Sequence, residues 1–471
     1  MLRAGGTAVD AAVAAAFAAF VVEPVLSGPL GAGVMAVADP GRAPVYLDGV
    51  PKTPRAKRSE ADLDLETITV DFGADTQDFH IGAATIAVPC LIPMLLSAQA
   101  QAGRVPLADL LAPAIRHARE GHELSALQAK LVTLVAPILM ADQASRDLFM
   151  AEGALLGSGA RFANPALGDV LDVLSHEGAR FVTDGEIAAL LRDLPGHHIG
   201  PLDRAAPAER AALTVTRRGT TVALNPSPSL GGLSIALALS ALPPDPDPAE
   251  IARGFAEIDR IRRTFDTAAE FAAAFPALAR SLQEALAAPA AIRGTTHISV
   301  IDGAGAIAAL TLSNGEGCGR MLPGTGIMPN NMLGEEDLLP GGPLSWAPDT
   351  RLSTMMCPTI LRRGAEAVAL GSGGSSRIRS ALTTVSLALI DRGAVLESAI
   401  AGPRLHAEAG RLSFEDTGGE AWRETLLAED PEARVFPEPS VFFGGVHAAR
   451  ASATAREAVA DARRDGWAVT G

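Results

Sequence analysis

Thr295 stands directly after Gly294 and opens the run Thr295-Thr296-His297-Ile298-Ser299-Val300-Ile301, whose β-branched, alternating pattern predicts a strand. A threonine hydroxyl inside a chain is a poor nucleophile. Scission of the Gly294–Thr295 bond would give Thr295 a free α-amine with a pKa of about 7.7–8.0. Such an amine can take the hydroxyl proton, which is the threonine-plus-amine route to an activated nucleophile. A β-branched residue that merely opens a strand is the plainer reading, and the local sequence leaves both open. A second unusual segment, Gly371-Ser372-Gly373-Gly374-Ser375-Ser376, lies between a predicted strand and a helix beginning at Arg377. Its glycines let successive backbone N–H groups converge, and the helix terminus adds partial positive charge, so the turn suits an oxyanion or a phosphate. It lacks the Lys-Ser/Thr ending of a P-loop, and no acidic ribose partner is placed on a following strand. A plain tight turn is the alternative.

Other chemistries find little support. The nine histidines contain no His-Glu-x-x-His, His197-His198 are adjacent, and His117 and His122 are five apart, so no metal site is expected. Cys90, Cys318 and Cys357 are widely separated and odd in number, forming neither a disulfide framework nor a zinc spacing. No cofactor is expected. The 471 residues carry a formal charge of −15, which argues against nucleic acid or an anionic lipid surface as a partner. No apolar run reaches the ~18 residues of a membrane helix without Ala, Gly or Pro dominating it.

The elements that must position these groups follow from periodicity. Thr7 is placed to cap an Ala-rich helix from Ala8 to Val22, ending before Glu23-Pro24, and Val34 to Ala38 is a buried strand. Gly31-Ala32-Gly33 precedes a strand rather than a helix, which excludes a dinucleotide loop. Residues 105–156 read as helical, and residues 165–290 as further helices broken by Pro-rich turns such as Pro243-Pro244-Asp245-Pro246-Asp247-Pro248, with Phe271 to Ala291 the last of them. Two hairpins follow: the Thr295 run returning over Ala306 to Leu312, and Met355 to Leu361 returning over Ala367 to Leu370. Arg377 to Asp391 is then an amphipathic helix. Helical runs around adjacent hairpins predict an α+β fold of sheets covered by helices, one compact domain rather than three.

In order along the chain, six segments resemble the gamma-glutamyltranspeptidase family of N-terminal-nucleophile hydrolases. They are Gly5-Gly6-Thr7-Ala8-Val9-Asp10-Ala11-Ala12-Val13-Ala14, Thr295-Thr296-His297-Ile298-Ser299-Val300, Gly326-Ile327-Met328-Pro329-Asn330-Asn331, Leu352-Ser353-Thr354-Met355, Cys357-Pro358-Thr359-Ile360 and Gly371-Ser372-Gly373-Gly374-Ser375-Ser376-Arg377-Ile378. The resemblance implies a four-layer αββα sandwich and a precursor that cuts itself into residues 1–294 and 295–471, the two fragments remaining together as a heterodimer. It implies Thr295 as nucleophile, Gly374 and Ser375 as N–H donors to the oxyanion, and Ser313 beside the nucleophile's amine. It further implies Ser353 and Thr354 on a substrate carboxylate, Glu335 on its amino group, and Asn314 as a substrate contact one residue out of the family's register.

The departures concern the pocket. Where the family has an arginine two residues after an aspartate, clamping the glutamyl α-carboxylate, Leu47-Asp48-Gly49-Val50-Pro51 places Val50. Lys52 or Arg55 is the candidate substitute, although lysine lacks the planar fork that binds a carboxylate bidentately. Met332 stands where a Gln or Glu is expected, and Ser375 replaces the second glycine of the oxyanion pair. The resemblance implies transfer of a gamma-glutamyl group, as from glutathione, to water or an amine, while the lost arginine and Met332 favour the first of its alternatives. The alternatives are an acylase or amidohydrolase for another small acidic amide, in the manner of cephalosporin acylases and oxamate amidohydrolases, or an uncut, non-catalytic binding member. No secretion signal is visible in the chain as written, so it reads as cytoplasmic, or as exported if the true start lies upstream.

Overall fold

The computed structural model describes residues 1–71, 76–202, 205–265, 268–281, 295–335, 338–339 and 341–470. Two sheets carry the architecture. The first contains β1 (Ala32–Ala38), β2 (Val45–Asp48) and β3 (Ala208–Ala211). The second begins with β4 (Leu213–Arg217) and β5 (Thr220–Leu224). From the later chain come β6 (Thr296–Ile301) and β7 (Ile307–Ser313) for the first sheet, and β8 (Thr359–Arg363), β9 (Glu366–Gly373), β10 (Gly445–Ala451) and β11 (Arg456–Val459) for the second. The strand orders are β6-β7-β1-β2-β3 and β4-β5-β8-β9-β10-β11, antiparallel throughout. Each sheet thus mixes strands from before and after residue 294.

Helices that pack on them include α1 (Ala8–Val22), α2 (Leu91–Ala102), α3 (Leu230–Ala241) and α4 (Arg377–Ile390). Thr7 caps α1 in a reciprocal box with Asp10: the Asp10 N–H donates to Thr7 Oγ1 at 3.1 Å, and the Thr7 N–H to Asp10 Oδ2 at 2.9 Å. Strand alternation sorts side chains between two cores. On β1 and β7, Met35, Ala308, Leu310 and Leu312 join α1 and α2 in one cluster, whereas Val34, Ala36, Ile307 and Ala309 face the second sheet. There they meet Ala223, Ile360 and Ala369. The outer face of the second sheet, through Val222, Leu361, Val368 and Leu370, packs on α3 and α4. Small residues predominate between the sheets, so the two backbones approach closely.

Several expectations are corrected. Residues 165–290 are not helical throughout, since β3, β4 and β5 interrupt them. Their signal was alternation, Leu213-Thr214-Val215-Thr216, with the turn at Arg218 and Gly219, both in the left-handed region at φ 47° and 76°. Residues 105–156 hold separate helices and short strand pairs, not one helical run. The Gly371-Ser372-Gly373 stretch belongs to β9 rather than to a loop, because β10 pairs with it through Gly373↔Gly445. The last expected helix is seen as Ala268–Ser281; the rest of Phe271 to Ala291, and Gly294 itself, lie outside the described residues.

The first turn of α3 tests this close packing. A Cβ on Gly232 would lie 1.8 Å from the carbonyl oxygen of Asn225. Alanine gains about 1 kcal/mol of helix propensity over glycine, but overpacking against fixed backbone costs roughly 1–3 kcal/mol. Gly232→Ala is therefore expected to lower stability in chemical denaturation, and a stabilised variant would contradict the packing.

Candidate active site

The β6–β7 ladder pairs Thr296 with Leu312, and its continuation by one residue sets Thr295 beside Ser313, itself paired with Ala32 of β1. Thr295 is 3% exposed. A small, partly open pocket lies beside it. Its polar lining is Thr295, Ser313, Glu335, Ser353, Thr354 and Ser375, and its apolar lining includes Val50, Met332, Met355, Met356 and Ile378. Segments around residues 50, 295, 313, 335, 354 and 375 therefore converge on one pocket. Ser313 Oγ accepts from the Gly315 N–H at 3.1 Å, and Thr354 Oγ1 accepts from the Met356 N–H at 3.0 Å. Gly315 is obligatory: its φ is +62°, and a Cβ there would lie 2.6 Å from Glu335 Oε1. That close approach brings the carboxylate to the cavity.

Gly374 and Ser375 form the turn between β9 and α4, with φ of 118° and 50°. Their conformation is left-handed, and the turn carries the N-terminal end of a 14-residue helix, a place where backbone N–H groups favour negative charge. Gly373 backs directly on the threonine, since a Cβ there would stand 2.0 Å from the Thr295 carbonyl oxygen. The geometry can hold a hydroxyl nucleophile, an amine base and oxyanion donors around one small cavity.

Of the remaining candidates, Asn314 points away. Its Nδ2 donates to the Met328 carbonyl at 3.1 Å, and it lines a different cavity together with Ser27, Asn164 and Glu316. Alternation explains the split: Ser313 and Gly315 face one cavity, Asn314 and Glu316 the other. Asn330 of the Pro-Asn-Asn motif is wholly buried and structural, donating to Leu30 and Ala87 carbonyls and accepting from Ala87 and Met332 N–H groups. Neither proposed substitute for the clamp lines the cavity: Lys52 Nζ pairs with Asp349 at 3.6 Å, and Arg55 is exposed. Arg351 sets its guanidinium on the Val50 carbonyl and toward Asp48 at 3.7 Å, and it does not line the cavity.

His297 is also structural. Its ring nitrogens meet Thr311 Oγ1 and Ser299 Oγ, both at 2.8 Å, and Gly371 leaves room for the ring. Burial pushes its pKa well below the usual histidine range, so it stays neutral. Two contacts had no motif to announce them. Arg464, from the C-terminal turn, donates to the Thr295 carbonyl oxygen at 3.2 Å, and Glu23, capping the end of α1, accepts from the Thr296 hydroxyl.

The gamma-glutamyltranspeptidase family model matches residues 1–274 and 248–471, which together span the chain. This protein belongs to the gamma-glutamyltranspeptidase family. It is similar to an acylase ACY 1 proenzyme of Pseudomonas sp. (strain SE83), at 28% identity over 91% of this chain and 83% of that protein. A glutathione hydrolase proenzyme of Pseudomonas sp. (strain A14) is 27% identical over 87% of this chain and 79% of its own length. Among solved structures, a cephalosporin acylase from Bacillus halodurans shares the fold with a TM-score of 0.82, covering 99% of this chain and 92% of that one at 21% identity.

The turn after β9 yields a paired test. Ser375 sits in a left-handed conformation that costs an L-residue roughly 1–2 kcal/mol. Ser375→Gly is expected to raise stability by about 1 kcal/mol, whereas Gly374→Ala, with its Cβ 2.7 Å from Gly444 Cα, is expected to lower it. Denaturant midpoints compare the two, and equal shifts would refute the assigned conformations.

Proposed function

We propose that the protein is an N-terminal-threonine amide hydrolase and acyltransferase, made as a precursor that cuts itself between Gly294 and Thr295. The fold class proposed with it is the four-layer αββα sandwich, with residues 1–294 and 295–471 as the two interlocking parts. In this mechanism the Thr295 α-amine takes the proton of its own hydroxyl as the oxygen attacks the amide carbonyl. The developing oxyanion receives N–H groups of Gly374 and Ser375. Collapse breaks the C–N bond, the α-ammonium gives its proton to the departing amine, and an ester to Thr295 remains. Water or a second amine then resolves that ester by the same proton relay. Ser313 orients the α-amine, and Glu335, Ser353 and Thr354 contact the acyl group.

For the substrate, the observation that carries the reading is the composition of the cavity. Among its described lining residues there is no arginine or lysine, and Val50 occupies the position of the family's clamp. A carboxylate held only by neutral donors loses the roughly 1.5–3 kcal/mol of a charge-assisted bond. With Met332 beside Val50, the site favours a small acyl amide of the kind acylases cleave, without strict demand for a gamma-glutamyl α-carboxylate. Glu335 supports the second reading, gamma-glutamyl transfer as in glutathione hydrolases, because it can meet an α-ammonium group.

Two experiments test these statements. Intact mass spectrometry of purified protein is expected to show fragments of 294 and 177 residues, and Thr295→Ala a single uncut chain. Uncut protein that still hydrolyses amides would overturn the mechanism. Gamma-glutamyl-p-nitroanilide and glutaryl-p-nitroanilide, compared on wild type and Val50→Arg, test the pocket. Wild type is expected to use the glutaryl compound at least as well, and Val50→Arg to raise gamma-glutamyl kcat/KM about tenfold, equivalent to about 1.4 kcal/mol. Strict gamma-glutamyl selectivity in wild type would refute the relaxed pocket.

A further inference from the structure

The Thr295 carbonyl faces a gap built from glycines. Gly373 of β9 lies directly opposite Gly445 of β10, and Gly374 and Gly444 follow beside them. Arg464 runs through that gap. A Cβ on Gly445 would meet its Cγ at 2.8 Å, and one on Gly373 would lie 3.2 Å from its Nη1, the atom that donates to Thr295. The guanidinium also flanks the oxyanion turn, with Nη2 3.6 Å from a Cβ on Gly374. A side chain at Gly445 would push the Arg464 stem aside, and one at Gly373 would crowd its Nη1 as well as clash with the Thr295 carbonyl. The residue is 9% exposed, so its charge is little screened by water.

We propose that Arg464 is a positioning residue for amide cleavage: it fixes Thr295 through the carbonyl oxygen, and its positive charge keeps the α-amine released by scission in the unprotonated form that serves as base. The proposal rests on Thr295 as the nucleophile. Only the Cα and carbonyl carbon separate the α-nitrogen from the oxygen that Arg464 holds. The cation therefore stands within the roughly 4–6 Å over which a like charge disfavours protonation. Glu23 acts in the opposite sense: its carboxylate accepts from the Thr296 hydroxyl and stands near enough to Arg464 for the two charges to attract. Burial raises the Glu23 pKa, which weakens that opposition as pH falls.

The other charged and titratable groups around the site leave this balance in place. Glu335 lies beside Gly315 at the cavity, Arg377 is engaged by Ser376 and the Phe442 carbonyl, and Asp461 lies behind Arg464. His297 is held neutral by burial, as is His447, whose pKa falls to about 4. Burial lowers the Arg464 pKa to about 10, so it remains cationic at neutral pH.

The test is the pH dependence of kcat/KM, measured with the faster of the two anilides on protein whose cleavage has been verified by intact mass. Arg464→Gln is expected to move the acid-limb midpoint up by roughly one unit. Arg464→Lys should retain the wild-type midpoint, and Glu23→Gln, which keeps an acceptor for Thr296, should move it down. A uniform loss of activity in Arg464→Gln with the limb unmoved would overturn the proposal, because a merely structural brace leaves the midpoint alone. If Arg464→Gln stays uncut, Glu23→Gln decides, and an unmoved limb there overturns it. A wild type that is active but uncut fails differently: it removes Thr295 as the nucleophile, and the proposal with it.

Discussion

The contact on which the site depends is the approach of two sheets at a place where the facing strands carry only glycine. Gly373 and Gly445 pair across β9 and β10, and the Thr295 carbonyl oxygen occupies the space a Cβ would need. Interiors are close-packed and bistable rather than continuously deformable, so a methyl group there would displace backbone, not merely crowd it. That single approach fixes the start of β6 against the end of β9. It thereby sets the hydroxyl of Thr295 beside the turn of Gly374 and Ser375. The small residues between the sheets, Ala36, Ala223, Ala309 and Ala369, extend the same short separation away from the site.

From that fixed point, strand and loop alternation distribute function. Thr295 and His297 share one face of β6, but His297 is locked between two hydroxyls under Gly371 and takes no charge. Thr296 faces the other way and ties β6 to the end of α1 through Glu23. Beyond β7, Ser313 and Gly315 serve the cavity, while Asn314 and Glu316 serve another. Val50 and Met332 add apolar surface to the polar lining of that cavity. Membership of a family that includes both glutathione hydrolases and acylases is compatible with either kind of lining.

Much of this was legible in the sequence where a local rule acts alone. Thr7 marks the start of α1 and Glu23-Pro24 its end, so the helix runs from Ala8 to Val22 as expected. The hairpin of β6 and β7 follows from alternation around Asp302-Gly303-Ala304-Gly305, and the resemblance gathers Thr295, Ser313, Glu335, Ser353, Thr354 and Ser375, which do line one cavity. The misses have physical causes. Glycine has no strand propensity, so Gly371 to Gly373 read as a loop until pairing with β10 overrode it. Asn314 was implied by the resemblance one residue out of the family's register, and parity along the chain turns that one-residue offset to the other face. Arg464 could not be singled out, because an Arg463-Arg464 pair far along the chain from Thr295 carries no pattern that points to it. A paired-glycine signal existed at Gly373-Gly374 and Gly444-Gly445, but only the register between strands shows what passes through it.

The mixed parentage of the sheets has a consequence for the life of a matured molecule. β1 to β5 precede the proposed junction and β6 to β11 follow it, yet β7 lies against β1 and β8 against β5. Dilution alone cannot part the two pieces, because separation must first unzip the interior of both sheets. Once it has been unfolded, however, a cut molecule is two chains, and its recovery becomes second order in concentration. Before scission the same search is intramolecular and favoured by a high effective concentration. Maturation would thus act as a ratchet: one peptide bond lost makes the fold easy to keep and hard to regain.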